Sequence, residues 1–208
     1  MTTLDEAARL TRTGDLWLFR GFSAADRVIQ TSTNSPVNHV GMAVVLDDLP
    51  PLLWHAELGQ SLPDLWAGKH HRGVQLHDLR DAVLVWGHRY GQRAWLRQLT
   101  PDVTSAMEDG VLRSIARLDG TPFPTTAKLA GGWLKGRLPG TSGKHTEVET
   151  AFCAEVVART YLEMGLLPAR RKATYYDPGS FWSEDRLQLE AGYALGDEVS
   201  VQLPPQEP

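Results

Sequence analysis

The spacing of apolar residues changes partway along the chain, and that change constrains the fold more than any other feature. Up to Trp86 the apolar residues come in short runs closed by turn residues: Leu16-Trp17-Leu18-Phe19 after Gly14-Asp15, His39 to Leu46 between Asn34-Ser35-Pro36 and Asp47-Asp48, and Leu52 to Leu58 after Pro50-Pro51. Gly73 to His77 and Ala82 to Trp86 continue the series as further strands. The period then becomes helical. Val111, Leu112, Ile115 and Leu118 follow the acidic start Glu108-Asp109, and the best helix, Thr150 to Met164, is closed by Gly165 and Pro168. Strands followed by helices predict an α+β domain with an antiparallel sheet built by the first half.

The smaller signals fit between these. Residues 1–13 read as a polar lead-in with helical character, and Ser23 with Asp26 forms a capping-box pattern for a short helix over 24–31. Residues 131–146, rich in Gly, Lys, Thr and Ser, read as a loop. In the tail, Phe181-Trp182 suggests one helical turn and Val199-Ser200-Val201 a last strand, while 203–208 reads as a disordered end. A chain of 208 residues is expected to form one domain, 1–208.

Charge and cysteine content exclude several classes of function. With 21 basic and 25 acidic residues, net −4, there is no broad cationic surface for a phosphate backbone, so no nucleic-acid partner is expected. No stretch approaches the roughly 18 apolar residues of a membrane span. The start MTTLDEAARLTRTGD lacks the basic-then-apolar order of an export signal, which predicts a cytoplasmic protein. A single cysteine allows neither an intramolecular disulfide nor a cysteine zinc cage. The seven histidines contain no H-E-x-x-H pair, so no metal and no cofactor is expected.

That cysteine, Cys153, is the first candidate for chemistry. Thr150 as N-cap would put Cys153 in the first helical turn, where unpaired N–H groups and the macrodipole favour a thiolate and can hold an oxyanion. Set against this is a simple packing role, since a lone cysteine between Phe152 and Ala154 also suits a buried apolar helix face. His39, at the opening of its strand, suits either a base projecting into a cleft or a hydrogen-bonded structural histidine.

Four segments together resemble the permuted NlpC-type members of the papain-like superfamily, the YiiX- and YaeF-like amidases: TGDLWLFRG at 13–21, SPVNHVGMAVV at 35–45, HRGVQLHDL at 71–79 and FCAEVVART at 152–160. DGTPF at 119–123 is similar to that family's G-x-P-aromatic segment, although Pro124 stands where an acidic residue is usual. The resemblance implies a circularly permuted papain-like fold, an antiparallel sheet packed against a nucleophile helix in the C-terminal half. It implies Cys153 as nucleophile and His39 as base of a cysteine peptidase or amidase acting on a small peptide, amino-acid amide or acyl substrate.

The family's orienting residue lies on the strand after the histidine strand. Here that segment is LWHAEL, which offers His55, the favoured choice, with Glu57 as substitute; two apart on a strand, they share a face. Tyr175, Tyr176 and Trp182 are candidate walls of a substrate cleft near the start of the nucleophile helix, or else core. Two other functions stay open. One is a lipid acyltransferase or thioesterase similar to lecithin retinol acyltransferase, whose G-D-L-x-x-[IF]-F-R stretch resembles residues 14–20. The other is a binding module that keeps the fold without the chemistry.

Overall fold

The structure, a computed structural model, describes residues 1–21, 35–122 and 144–206, with the backbone alone for 144–151. The expected helix at 24–31 with Ser23 and Asp26, the segment at Phe123-Pro124 and most of the loop at 131–146 lie outside those residues. The described chain is α+β. In order it forms β1 (Thr2–Thr3), α1 (Leu4–Leu10), β2 (Leu16–Arg20), β3 (His39–Val44), β4 (Leu52–Glu57), β5 (Gly73–Asp78), α2 (Leu79–Tyr90), β6 (Arg93–Arg97) and β7 (Leu99–Thr100). Then come α3 (Ser105–Leu118), α4 (Lys144–Glu163), three short 3₁₀ turns between Ala173 and Asp185, β8 (Ala194–Leu195) and β9 (Val199–Gln202).

Seven strands make the main sheet in the order β1-β9-β6-β2-β3-β4-β5. Every neighbouring pair is antiparallel except β1 with β9, so the sheet is mixed where a purely antiparallel one was expected. Its parallel edge joins the first residues of the chain to its last strand, a pairing between distant segments that leaves no local pattern in sequence.

Helices cover both faces, which explains why β3 and β4 are buried at every position instead of alternating. On one face Leu16, Leu18, Val40, Met42, Trp54 and Ala56 pack with side chains of α3 and α4 in one core cluster. On the other, Trp17, Phe19, Ala43 and Leu53 pack with Leu4 and Ala7 of α1 and with Leu79, Ala82, Val83 and Trp86 of α2. Alternate residues of each strand therefore serve two separate cores.

Two expectations need correction. Ala82 to Trp86 is not a strand but the middle of α2: the Asp78 side chain accepts from the Asp81 backbone N–H, and Gly91 closes the helix at φ 63°. Leu79, Ala82, Val83 and Trp86 fall at helical spacing on the buried side, whereas the strand of this region, β6, comes later. The tail is not wholly disordered either. Leu203 packs, partly buried, against the core on the α2 side, and residues 207–208 lie outside the described residues.

Buried polar groups fix the strand entry at Gly14-Asp15. The fully buried Asp15 carboxylate accepts from the backbone N–H of Arg12 (2.9 Å) and of Leu99 (2.8 Å). Tyr161 of α4 donates its hydroxyl to the Gly14 carbonyl at 2.6 Å. The start of β2 is thereby tied to β7 and to α4 at once.

Candidate functional site

Residues 39, 55 and 77 open β3 and lie within β4 and β5, with side chains on the α2 face of the sheet. There three histidines and a glutamine form an unbroken chain. His39 Nε2 lies 3.1 Å from His55 Nδ1, His55 Nε2 lies 3.0 Å from His77 Nδ1, and His77 Nε2 lies 3.2 Å from Gln75 Oε1. The Gln75 amide nitrogen donates to the carbonyls of His71 (3.3 Å) and Gly73 (3.4 Å). His55 and Gln75 are fully buried, and His39 and His77 nearly so.

Register explains the convergence. β4 and β5 pair with His55 opposite Gln75 and Leu53 opposite His77, so Gln75, His77 and His55 share one face. Gly41 lies between His39 and Ala43 on the same face of β3. A Cβ there would fall 2.7 Å from Leu53 Cδ1 and 3.2 Å from His55 Cβ, so the glycine leaves the space that lets β4 side chains close on this face. Trp86 of α2 covers the pair from above, its ring centroid 4.3 Å from that of His39 and 5.2 Å from that of His55.

Burial keeps these rings neutral. It pushes His39 down to about 3, with His77 a smaller contributor. His55 is also held well below its ordinary range, by burial first and then by His77 and His39. His77 is pushed down to about 4 by burial, against the opposing pull of Asp64. None of the three carries charge at neutral pH.

His55 is therefore the ring partner of His39, while Glu57, on the same face, is engaged elsewhere. The Glu57 carboxylate accepts from the Ser61 hydroxyl at 2.6 Å, and its pKa is raised by burial. Cys153 lies on the other side of the sheet. It is fully buried in the cluster that holds Val40, Met42, Trp54 and Val157, whereas His39 faces Phe19 and Trp86. His39 and Val40 are adjacent on β3 and point to opposite faces, so the structure brings His39 and His55 together but does not bring Cys153 to them.

The helix start also differs from expectation. α4 begins at Lys144, not after a cap at Thr150, so Cys153 is the tenth residue of the helix and not part of its first turn. Free N–H groups and the positive dipole end do not act on it there, because both effects are confined to the first turn. A run from Lys144 to Thr150 with no proline or glycine continues the helix backwards past the residue that resembles a cap.

The three aromatic candidates separate. Tyr175 and Tyr176 line a cavity of ≈ 390 Å³ together with Arg170, Arg171 and Arg186, and neither Cys153 nor His39 lines it. Trp182 instead packs edge-on against Trp95 of β6, centroids 5.5 Å apart. Tyr176 is both, since it is buried in the α4-side core and is one of the residues lining the cavity.

Gln75, His77 and Trp86 are the site residues that sequence reasoning missed. The first two stand inside the HRGVQLHDL segment, two apart on a strand, the same signal that puts His55 and Glu57 on one face. Trp86 is beyond reach because the sequence of its helix reads as a strand. Among the described residues, no group of three or more His, Cys, Asp or Glu is arranged to hold a metal ion, and no helix is long and apolar enough to cross a membrane.

No family model and no curated protein matches the chain. Among solved structures, it is similar to that of metalloprotein yiiX from Escherichia coli O157:H7, with 16% sequence identity and a TM-score of 0.46. That match covers 74% of this chain and 66% of the other, a likeness too small to carry an argument about either fold or chemistry.

Proposed function

We propose that the chain is a thiol hydrolase on a permuted papain-like fold of the NlpC type, cleaving an amide bond in a small peptide-like substrate. The observation that supports it is the His39–His55 ring pair at the opening of β3. A base must be unprotonated and oriented, and His39 is neutral, with one ring nitrogen held by His55 and no hydrogen bond to the other among the described residues. Cys153 is the chain's one thiol and the proposed nucleophile.

In this reading His39 takes the proton from the Cys153 sulfur as that sulfur bonds to the substrate carbonyl carbon. The tetrahedral adduct collapses to a thioester, and the same proton leaves on the departing amine. Water, deprotonated by His39, then attacks the thioester and releases the acid and the thiol. A base pushed down to about 3 does not hold a preformed imidazolium against a thiolate, so proton transfer accompanies attack. Reaction also requires Cys153 to leave its packed place on the α4 face.

That last requirement favours a second reading, a module that keeps the fold and no longer performs the chemistry. Full burial of Cys153 among apolar side chains is the observation behind it. Alkylation separates the two. The hydrolase reading expects Cys153 in the folded protein at pH 7 to react with a thiol electrophile at least about a hundredfold faster than in His39→Ala, the low end of what a positioned base contributes. Equal rates, or a thiol that reacts only on unfolding, would leave the silent module.

A further inference from the structure

We infer that Gln75 and His77 are positioning residues that dictate which nitrogen of His39 is free to act as base, an inference that rests on the proposal that His39 is that base. The direction of the hydrogen bonds is set at the glutamine. Its amide nitrogen lies within hydrogen-bond reach of two backbone carbonyls, those of His71 and Gly73, and carbonyls only accept. The amide is therefore fixed with its NH₂ toward them and its oxygen toward His77.

An oxygen acceptor 3.2 Å from His77 Nε2 requires the proton of that ring to sit on Nε2. A neutral imidazole has one N–H, so His77 Nδ1 is a lone pair and must accept from His55 Nε2, 3.0 Å away. The same step repeats once. His55 Nδ1 becomes an acceptor, and His39 donates to it from Nε2 across 3.1 Å. The lone pair of His39 is left on Nδ1, pointing out of the chain.

The opposite arrangement would turn every bond around and put the His39 proton on Nδ1, with its lone pair consumed by His55. That ring could not accept a proton from a nucleophile. Gln75 forbids it, because an inward-running chain would place a bare lone pair of His77 against the glutamine oxygen. Three neutral rings share one direction because the amide of Gln75, two strands away from His39, fixes the end of the chain, with the Leu62 backbone carbonyl as a further, weaker acceptor for the His77 ring.

The chain ends on an amide and not on a carboxylate, so it orients His39 without neutralising an imidazolium. Asp64 acts on His77 through space, but the hydrogen-bonded terminus is uncharged. Orientation without charge agrees with a base held at about 3.

The test is the tautomer itself, read from long-range proton–nitrogen spectra of the full chain with ¹⁵N-labelled histidine at neutral pH. The expected wild-type result is a proton on Nε2 of His39, His55 and His77 alike. Gln75→Leu and His77→Leu each remove an acceptor and should abolish the single pattern at His39, giving mixed Nδ1-H and Nε2-H forms. His77→Asn, whose side-chain oxygen can accept where Nδ1 did, should retain it. A wild-type His39 protonated on Nδ1 would overturn the inference, and so would a His39 pattern untouched by both leucine variants. Should those variants not fold, the wild-type spectrum decides alone. Repeating the measurement on Cys153→Ala separates the histidine chain from the thiol: an intact pattern beside His39-independent alkylation of wild type would remove the hydrolase reading and leave the positioning chain standing.

Discussion

The two faces of the sheet solve the problem of burial in opposite ways. On the α4 face, Val40, Met42, Trp54, Val157 and Cys153 fill space with side chains that ask little of their neighbours, apart from the Trp54 indole that donates to Thr160 at 3.0 Å. On the α2 face, equally buried, His39, His55, His77 and Gln75 are joined by successive hydrogen bonds, with only the outer nitrogen of His39 left outside the series. A buried polar group without a partner costs roughly 1–3 kcal/mol, so the histidine series holds best when each of its links is kept. The apolar face tolerates change in proportion to volume, while the polar face depends on protonation state.

Acidification breaks the comparison most strongly. The folded-state pKa values of His39 and His77 are pushed down to about 3 and about 4, against an ordinary 6.5 in the unfolded chain, and His55 moves the same way. Below pH 6.5 the unfolded chain therefore binds more protons, so the stability present above that pH is lost as pH falls toward 4. At pH 5 the loss is about 2 kcal/mol each for His39 and His77, and His55 adds to it in the same direction. Asp15 and Glu57, whose pKa values burial raises, act with the contrary sign and return some stability as they protonate. Urea midpoints at pH 7 and pH 5 check this, and a midpoint that holds steady would mean the rings are charged or solvated in the native state.

The contrast also explains what could be foreseen. β2, β3, β4 and β5 were legible because each is a short apolar run bounded by turn residues, and α3 and most of α4 because their apolar residues recur at helical spacing. α2 was not, since Ala82-Val83-Leu84-Val85-Trp86 is continuous enough in apolar residues to suit a buried strand, and what decides it is the cap at Asp78. The meeting of His39 and His55 followed from neighbouring strands. The separation of Cys153 from His39 did not, because sequence shows that a helix covers a sheet without showing which face it takes.

The next largest effect belongs to the apolar face. Trp54→Ala should lower unfolding stability by about 3–5 kcal/mol, the usual cost of emptying a large buried site, and strand Thr160 without its indole partner. The three-ring tautomer pattern should survive at low denaturant, because Trp54 points away from it. If the histidine spectra collapse along with the loss of stability, the two cores are coupled through β4 and the picture of independent faces fails.

The smallest effect bears most directly on function. Cys153 is fully buried on the apolar face, and a cysteine kept only for packing should respond to substitution by volume and polarity alone. Cys153→Ala then costs about 1 kcal/mol for the lost sulfur contacts, and Cys153→Ser costs more, since its hydroxyl enters an apolar cluster where the thiol was a weak hydrogen-bonding group. A nucleophile retained at some expense to the fold behaves differently: its removal is neutral or stabilising, because a site shaped for chemistry is seldom the most stable filling of its own space. Unfolding midpoints for wild type, Cys153→Ala and Cys153→Ser, measured beside the alkylation rates, distinguish these outcomes. Stability falling from Cys to Ala to Ser, with alkylation indifferent to His39, would make Cys153 part of the packing and leave the histidine chain as a structural feature of the opposite face. Stability unchanged or raised in Cys153→Ala, with alkylation slowed by His39→Ala, would mean that the thiol reaches the histidines across the opening of β3.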